Sequence, residues 1–276
     1  MNKDKKLLNR RDALSTGAKI AALGALGAVV AGTSASAANT SEAVSDMDKY
    51  KDPEKYALPR VPMKFDKSKL ALVVIDPQVD FLSPKGVGWG AFGASLKEQN
   101  TVEHLLSLFK ASKAANIVVA VSPHFYYPTD HKWEFGGPGE HFMHNTGMFD
   151  RKGAFTMEGF EGSGADFMPE FKPYILDNKT IIASPHKIFG NQTNDLSLQL
   201  RKRGISQILL CGMAANLCVE SHLRNLQEEG FEVAVIKDAT AGAKLPEGDG
   251  YLAALINYRY LASEVLTTKQ AIKILA

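Results

Sequence analysis

Two cysteines and two tryptophans are all that the 276 residues hold of either type, and the formal net charge is only +2. Cys211 and Cys218 lie across a short apolar stretch and a glycine turn from one another, with no pair to spare for a staple, so the chain does not read as a disulfide scaffold. The small net charge leaves no basic footprint for nucleic acid. No apolar run approaches the ~20 residues needed to span a bilayer stably, and beyond residue 37 there are neither internal repeats nor low-complexity segments. What remains is the composition of a soluble α/β enzyme.

The first 37 residues read as an export signal and not as part of the fold. Lys3, Lys5, Lys6, Arg10 and Arg11 make a basic start, residues 18–31 are small and apolar, and Ala35-Ser36-Ala37 is an A-x-A cleavage site. Asn9-Arg10-Arg11-Asp12-Ala13-Leu14 resembles a twin-arginine signal, with Ala13 where a large apolar residue is usual. This segment holds six Lys/Arg and two Asp/Glu, so its removal takes the charge from +2 to −2. The expectation is a protein exported by the twin-arginine route, periplasmic or secreted, with no stable membrane anchor after processing. Residues 38–66 are polar and punctuated by Pro53, Pro59 and Pro62, as in an N-terminal arm or linker, and residues 67–276 fit one domain.

From Leu70 onward, short apolar runs alternate with helical patterns, the signature of a parallel sheet covered on both faces. Strands are expected at 70–76, 116–122, 180–184, 207–211, 231–236 and 264–267, and helices at 98–114, 168–176, 193–203, 218–229 and 248–258. Six strands make a doubly wound, mainly parallel, three-layer α/β fold. Right-handed crossovers then gather functional residues at the carboxyl ends of the strands.

Three residues stand at such ends. In ISQILLCGMAANLCVESH (205–222) a buried strand runs through a turn at Gly212 into a helix whose first turn presents Cys218. Unpaired N–H groups and the helix dipole there favour a thiolate and can hold an oxyanion, which makes Cys218 a candidate nucleophile. The position suits equally a small apolar residue packed under the helix. Asp76 ends the apolar run LALVVI, where a carboxyl tends to have a raised pKa and can accept a proton. It could also be a turn former ahead of Pro77. Lys187 could project its charge into a pocket or be an ordinary surface lysine.

These stretches together resemble the isochorismatase-like cysteine hydrolases, which include nicotinamidases and N-carbamoylsarcosine amidases. LALVVIDPQVDF carries Asp76, Gln78, Asp80 and Phe81, TIIASPHKIFGNQTNDL carries Lys187, and Gly212 to Val219 matches the family's Gly-x-Ala-x-x-x-Cys-Val turn. Three motifs in the right order, across roughly Lys69 to Leu275, are far more specific than any one alone. The resemblance implies Asp76, Lys187 and Cys218 as catalytic residues, with Asp76 as base for the thiol. It also implies a cis peptide between Met213 and Ala214, and an oxyanion hole made by the backbone N–H groups of Ala214 and Cys218. The implied activity is hydrolysis of an amide or related C–N bond of a small molecule through a Cys-bound acyl intermediate. The alternatives are an isochorismate-type vinyl ether hydrolase, whose known members lack the cysteine, and a catalytically idle binding relative.

The stretch 123–178 is long for a connection and rich in aromatic residues and histidines, which suits a cover over the active-site mouth. Gln78, Phe81, His124, Trp133 and Phe189 are the expected substrate pocket. Nicotinamidases place a metal-binding Asp-x-His near here. This chain has Ser122-Pro123-His124, so the acid is missing and neither metal nor other cofactor is expected. Gly86, Gly88, Gly90 and Gly93 come too late after the first strand for a dinucleotide loop. The expected partners are a small-molecule substrate and further copies of the same chain, with no nucleic acid.

Overall fold

The apolar run LALVVI forms β1 (Leu70–Ile75), and all six of its residues are buried. That is the pattern of a strand covered on both faces, each large side chain contributing roughly 1.5–3 kcal/mol of burial. In this computed structural model residues 47–276 are described, so the expected export signal and the start of the arm lie outside the described residues. The chain divides into a unit ending at Pro53, of which residues 47–53 are described and hold one 3-10 turn, Asp48–Tyr50, and a unit Glu54–Ala276. No helix among the described residues is long and apolar enough to cross a membrane.

In the second unit β1 is joined by β2 (Val118–Ser122), β3 (Ile181–Ile182), β4 (Gln207–Gly212), β5 (Glu232–Thr240) and β8 (Glu264–Leu266). The six strands pair in the order β3-β2-β1-β4-β5-β8, parallel throughout, so the expected doubly wound α/β sheet is present. A small hairpin, β6 (Lys244–Leu245) with β7 (Gly248–Asp249), stands apart.

The helices are α1 (Val79–Leu82), α2 (Trp89–Gln99), α3 (Thr101–Ala114), α4 (Pro138–Thr146), α5 (Lys172–Ile175), α6 (Leu196–Lys202), α7 (Glu220–Glu228), α8 (Gly250–Leu261) and α9 (Thr268–Leu275). Leu70, Leu72 and Val74 share one core with Leu105, Leu108 and Phe109 of α3 and with Ala271 and Leu275 of α9. The intervening Ala71 and Val73 turn to the other face, where α7 and α8 pack.

Several boundaries differ from expectation. The single helix expected at 98–114 is two, because Asn100 adopts a left-handed conformation (φ 50°) that closes α2 and opens α3. The helix expected at 168–176 shrinks to one turn, and the strand expected at 180–184 to two residues before Pro185. β5 runs on to Thr240 through a register shift opposite Leu210 and Gly212.

β4 lies so close to β1 that Gly212 has no room for a side chain. At its φ of 109° a Cβ would meet the Ile75 carbonyl oxygen at 2.1 Å. This approach sets the end of β4 beside the end of β1, which is where Asp76 and the Cys218 turn begin. Gly212→Ala is expected to cost at least ~3 kcal/mol in urea unfolding, since backbone would have to move. Gly204→Ala, also left-handed but facing open space, should cost only about 1–2 kcal/mol.

Candidate active site

Four strand ends deliver the site. β1 passes into Asp76, which takes a left-handed conformation (φ 47°) while its N–H donates to the Ser122 carbonyl at the end of β2. An aspartate at positive φ is uncommon, and this one turns its carboxyl into the interior, where it is wholly buried. His186 lies beyond β3, and its Nε2 stands 2.8 Å from Asp76 Oδ1. His124, two residues beyond β2, bridges to His186 across the same strand pair, and their rings are 4.7 Å apart.

β4 ends in Gly212, then the cis Met213–Ala214 peptide, then a π-helical turn, Ala215–Val219, that leads into α7. Cys218 sits in this turn, two residues before α7 begins. Its sulfur lies within 4.8 Å of an Asp76 carboxylate oxygen, and the backbone N–H groups of Ala214 and Cys218 favour its anionic form. The Tyr258 hydroxyl pins the turn from below by donating to the Ala215 carbonyl at 2.6 Å. His222, one turn along α7, is directed by a chain of hydrogen bonds. Asn194 Nδ2 donates to Ser122 Oγ (2.8 Å), Ser122 Oγ lies 2.9 Å from His222 Nε2, and His222 Nδ1 lies 2.7 Å from the Cys218 carbonyl. A carbonyl only accepts, so the imidazole proton sits on Nδ1 and Nε2 receives the Ser122 hydroxyl.

A family model described as the isochorismatase domain matches residues 70–270. The chain belongs to that family. Over 205 residues, 69% of this chain and 77% of the relative, it is 27% identical to the ureidoacrylate amidohydrolase RutB of Variovorax paradoxus. A 49-residue stretch, 18% of this chain and 26% of the relative, is 51% identical to the uncharacterized isochorismatase family protein YecD of Escherichia coli O157:H7. Among solved structures, a cysteine hydrolase from Pseudomonas syringae pv. phaseolicola superposes with a TM-score of 0.65 at 20% identity, covering 80% of this chain and 98% of the other. This last likeness is one of fold.

Within the isochorismatase frame the structure brings Asp76 and Cys218 together with His186, and not with Lys187. The Lys187 ammonium is taken up by Asp130 Oδ2 (2.5 Å) and the Phe125 carbonyl (3.0 Å), over the Tyr127 ring. The reason is local: His186 pairs with His124 as an isolated parallel bridge, which sets its ring toward Asp76, and the chain bends from Lys187 onward, so the next side chain leaves the site. His186, His222 and Asp130 were all missed by motif reading. The expected pocket is also redistributed. Gln78 spends its amide on backbone, donating to the carbonyls of His124 and Ala165 and accepting the His124 N–H. Phe81 is a core residue between Phe92 and Phe149, and Trp133 is a partly exposed ring against Tyr126 and His144. His124 does face the site. Phe189 is half-buried and faces α4, where a Cβ on Gly139 would lie 4.0 Å from its ring.

The electrostatics are those of a dry site. Burial raises Asp76 to about 7, against the pull of His124, His222 and the Cys218 thiol. Burial holds His124, His186 and His222 down at about 3, so all three are neutral at physiological pH. Cys218 was expected to be a thiolate at a helix start beside Lys187. Instead burial and the Asp76 carboxyl push its thiol well up, outweighing the two backbone N–H groups. Cys218 is 2% exposed and Asp76, His124 and His186 are fully covered, so the cluster is closed to solvent. The metal pattern of nicotinamidases is not assembled, because Ser122 replaces its acid and is engaged with His222 and Asn194.

Proton bookkeeping gives a stability test. Below the ordinary imidazole pKa of ~6.5, the unfolded chain binds three protons on these histidines that the folded protein refuses until about pH 3. Above ~4, the folded protein keeps one on Asp76, up to about 7, that the unfolded chain releases. The unfolded state is therefore richer by about two protons between pH ~4.5 and ~6, and this cluster makes stability fall with acid by on the order of 2–3 kcal/mol per pH unit. Urea unfolding of chelator-treated protein across that range should show the slope. Asp76→Asn should steepen it by about one proton.

Proposed function

We propose that the protein is a cysteine amidohydrolase that cleaves an amide or related C–N bond of a small molecule through a Cys218-bound acyl intermediate. One observation carries the reading. A buried carboxyl, a thiol and two backbone N–H groups converge at Asp76, Cys218 and Ala214 in a domain of the isochorismatase family. The likeness to a ureidoacrylate amidohydrolase supports a ureide or amide as substrate class. A vinyl ether hydrolase would have no use for the thiol beside Asp76.

The resting site is a neutral thiol beside an acid poised near neutrality. As the substrate carbonyl meets Cys218 Sγ, Asp76 accepts the thiol proton while the C–S bond forms. Negative charge then moves to the carbonyl oxygen, toward the N–H groups of Ala214 and Cys218. Asp76 returns the proton to the leaving nitrogen and the C–N bond breaks. Water then adds to the thioester with Asp76 as base, releasing the acid and restoring the thiol. His186 steadies Asp76 Oδ1 through this exchange. Lys187, held by Asp130, acts from behind by fixing His124, whose Nε2 donates to the Lys187 carbonyl. The basic start, apolar segment and A-x-A site of residues 1–37 support an exported enzyme matured after Ala37.

The test is ammonia or amine release from a panel of ureides and primary amides by chelator-treated protein. Cys218→Ala should abolish it and Asp76→Asn should lower kcat by about 10²–10⁴-fold. kcat/KM should rise with pH through about 7 as Asp76 ionises. Full turnover by Cys218→Ala, or pyruvate release from isochorismate in its place, would discard the reading.

A further inference from the structure

The same pocket holds more metal-binding chemistry than a thiol hydrolase needs. Asp76, His124, His186 and Cys218 each offer a ligand atom, all four are buried, and these atoms lie within 4.8 Å of one another. Tetrahedral zinc, with bonds of about 2.0–2.3 Å, sets its ligands about 3.3–3.7 Å apart. The four groups are thus within a side-chain adjustment of closing on one ion.

The polar atoms here are left unspent to an unusual degree. Asp76 Oδ2, His124 Nδ1 and His186 Nδ1 are buried without a hydrogen-bond partner, and buried polar groups are ordinarily paired. The Cys218 thiol donates no closer than 3.8 Å, to the Ile188 carbonyl. His124 is already in the tautomer of a ligand. Its Nε2 lies 2.9 Å from the Lys187 carbonyl, so Nε2 carries the proton and Nδ1 the free lone pair. Metal-bound histidines are commonly fixed by such a carbonyl.

We propose that Asp76, His124, His186 and Cys218 form a binding site for one zinc-class ion, and that its occupancy silences the thiol. The donor set of two imidazoles, one thiolate and one carboxylate selects zinc or its borderline neighbours over magnesium or calcium. Binding displaces two protons, one from the Cys218 thiol and one held between Asp76 and His186. The +2 of the ion then meets a carboxylate, a thiolate and two neutral imidazoles, leaving a buried centre with no net charge. This set differs from the nicotinamidase pattern, whose acid is Ser122 here. It consumes the groups that the hydrolytic cycle requires, so ion and acyl intermediate exclude each other. The silencing half rests on the hydrolase reading, and the binding half does not.

Cobalt(II) titrated into the chelator-treated full chain reports the site without any substrate. Expected are one ion per chain after dialysis, the intense visible bands of four-coordinate cobalt, and a near-ultraviolet sulfur-to-cobalt charge-transfer band. Zinc should displace cobalt and protect Cys218 from iodoacetamide. Cys218→Ser should lose the charge-transfer band, and His124→Gln should weaken binding at least tenfold. Cys211→Ser should leave the spectrum intact, as should His144→Ala, which disrupts the His131–His144 ring pair near the surface. A weak six-coordinate spectrum in the unsubstituted protein, a charge-transfer band that survives Cys218→Ser, or an ion lost with His144→Ala would overturn the site. Amide hydrolysis that continues at full zinc occupancy would overturn the silencing. Absence of hydrolysis in the metal-free protein would count against the proposed function alone, since the spectrum stands without it.

Discussion

Asp76 carries its carboxyl at the end of a central strand of the parallel sheet, where an isolated charge would cost several kcal/mol, and its surroundings oppose that charge. Burial raises the acid to about 7, and His186 meets one oxygen at 2.8 Å. The imidazoles around it stay neutral because they too are dry. A lysine at the same place would hold Asp76 as a carboxylate by ion pairing. A histidine lets the pair share one proton with little net charge.

The supporting residues follow from that neutrality. A neutral imidazole has one donor and one acceptor nitrogen, so each must be oriented by a partner of fixed polarity. The Lys187 carbonyl does this for His124, and the Cys218 carbonyl with the Ser122 hydroxyl does it for His222. Lys187 is thereby tied to the site through its backbone while its ammonium serves Asp130. Gln78 performs a related service for the chain itself, joining the ends of β1 and β2 to Ala165 under the cover.

What could be read from sequence was whatever a local pattern fixes. LALVVI and QILLC are apolar without alternation, as strands buried on both faces must be, and they gave the sheet. Gly212 marked the turn because a strand ending in glycine ahead of a helical pattern has few other readings, and the cysteine followed from the turn. The failures lie where a choice between neighbours depends on tertiary pairing. His186 and Lys187 are adjacent in a loop without periodicity, and a single bridge to His124 decides which one faces inward. Composition could not show that Phe81 belongs to the core or that Gln78 is spent on backbone. The thiolate expected at Cys218 failed for a different reason: a helix start favours the anion only where the thiol is not also dehydrated beside a carboxyl.

Closure ties these features together. At rest the thiol is protonated, Asp76 is poised near neutrality, and Cys218 is out of solvent. In the proposed mechanism, opening the cover would readmit water and lower the cost of charge on Asp76 and on Cys218 at once, and a substrate carbonyl would then give the sulfur's electrons somewhere to go. Reactivity is thus conditional on entry. The stretch from Tyr127 through α4 lies outside the sheet and is held by the Lys187–Asp130 pair, by Phe189 and by edge-to-face aromatic contacts to Tyr126. The carboxyl ends of the strands fix Asp76, His186 and Cys218 by backbone geometry, while the cover sets their solvation. For the proposed hydrolase, that division assigns the alignment of Cys218 to the sheet and access to it to the cover.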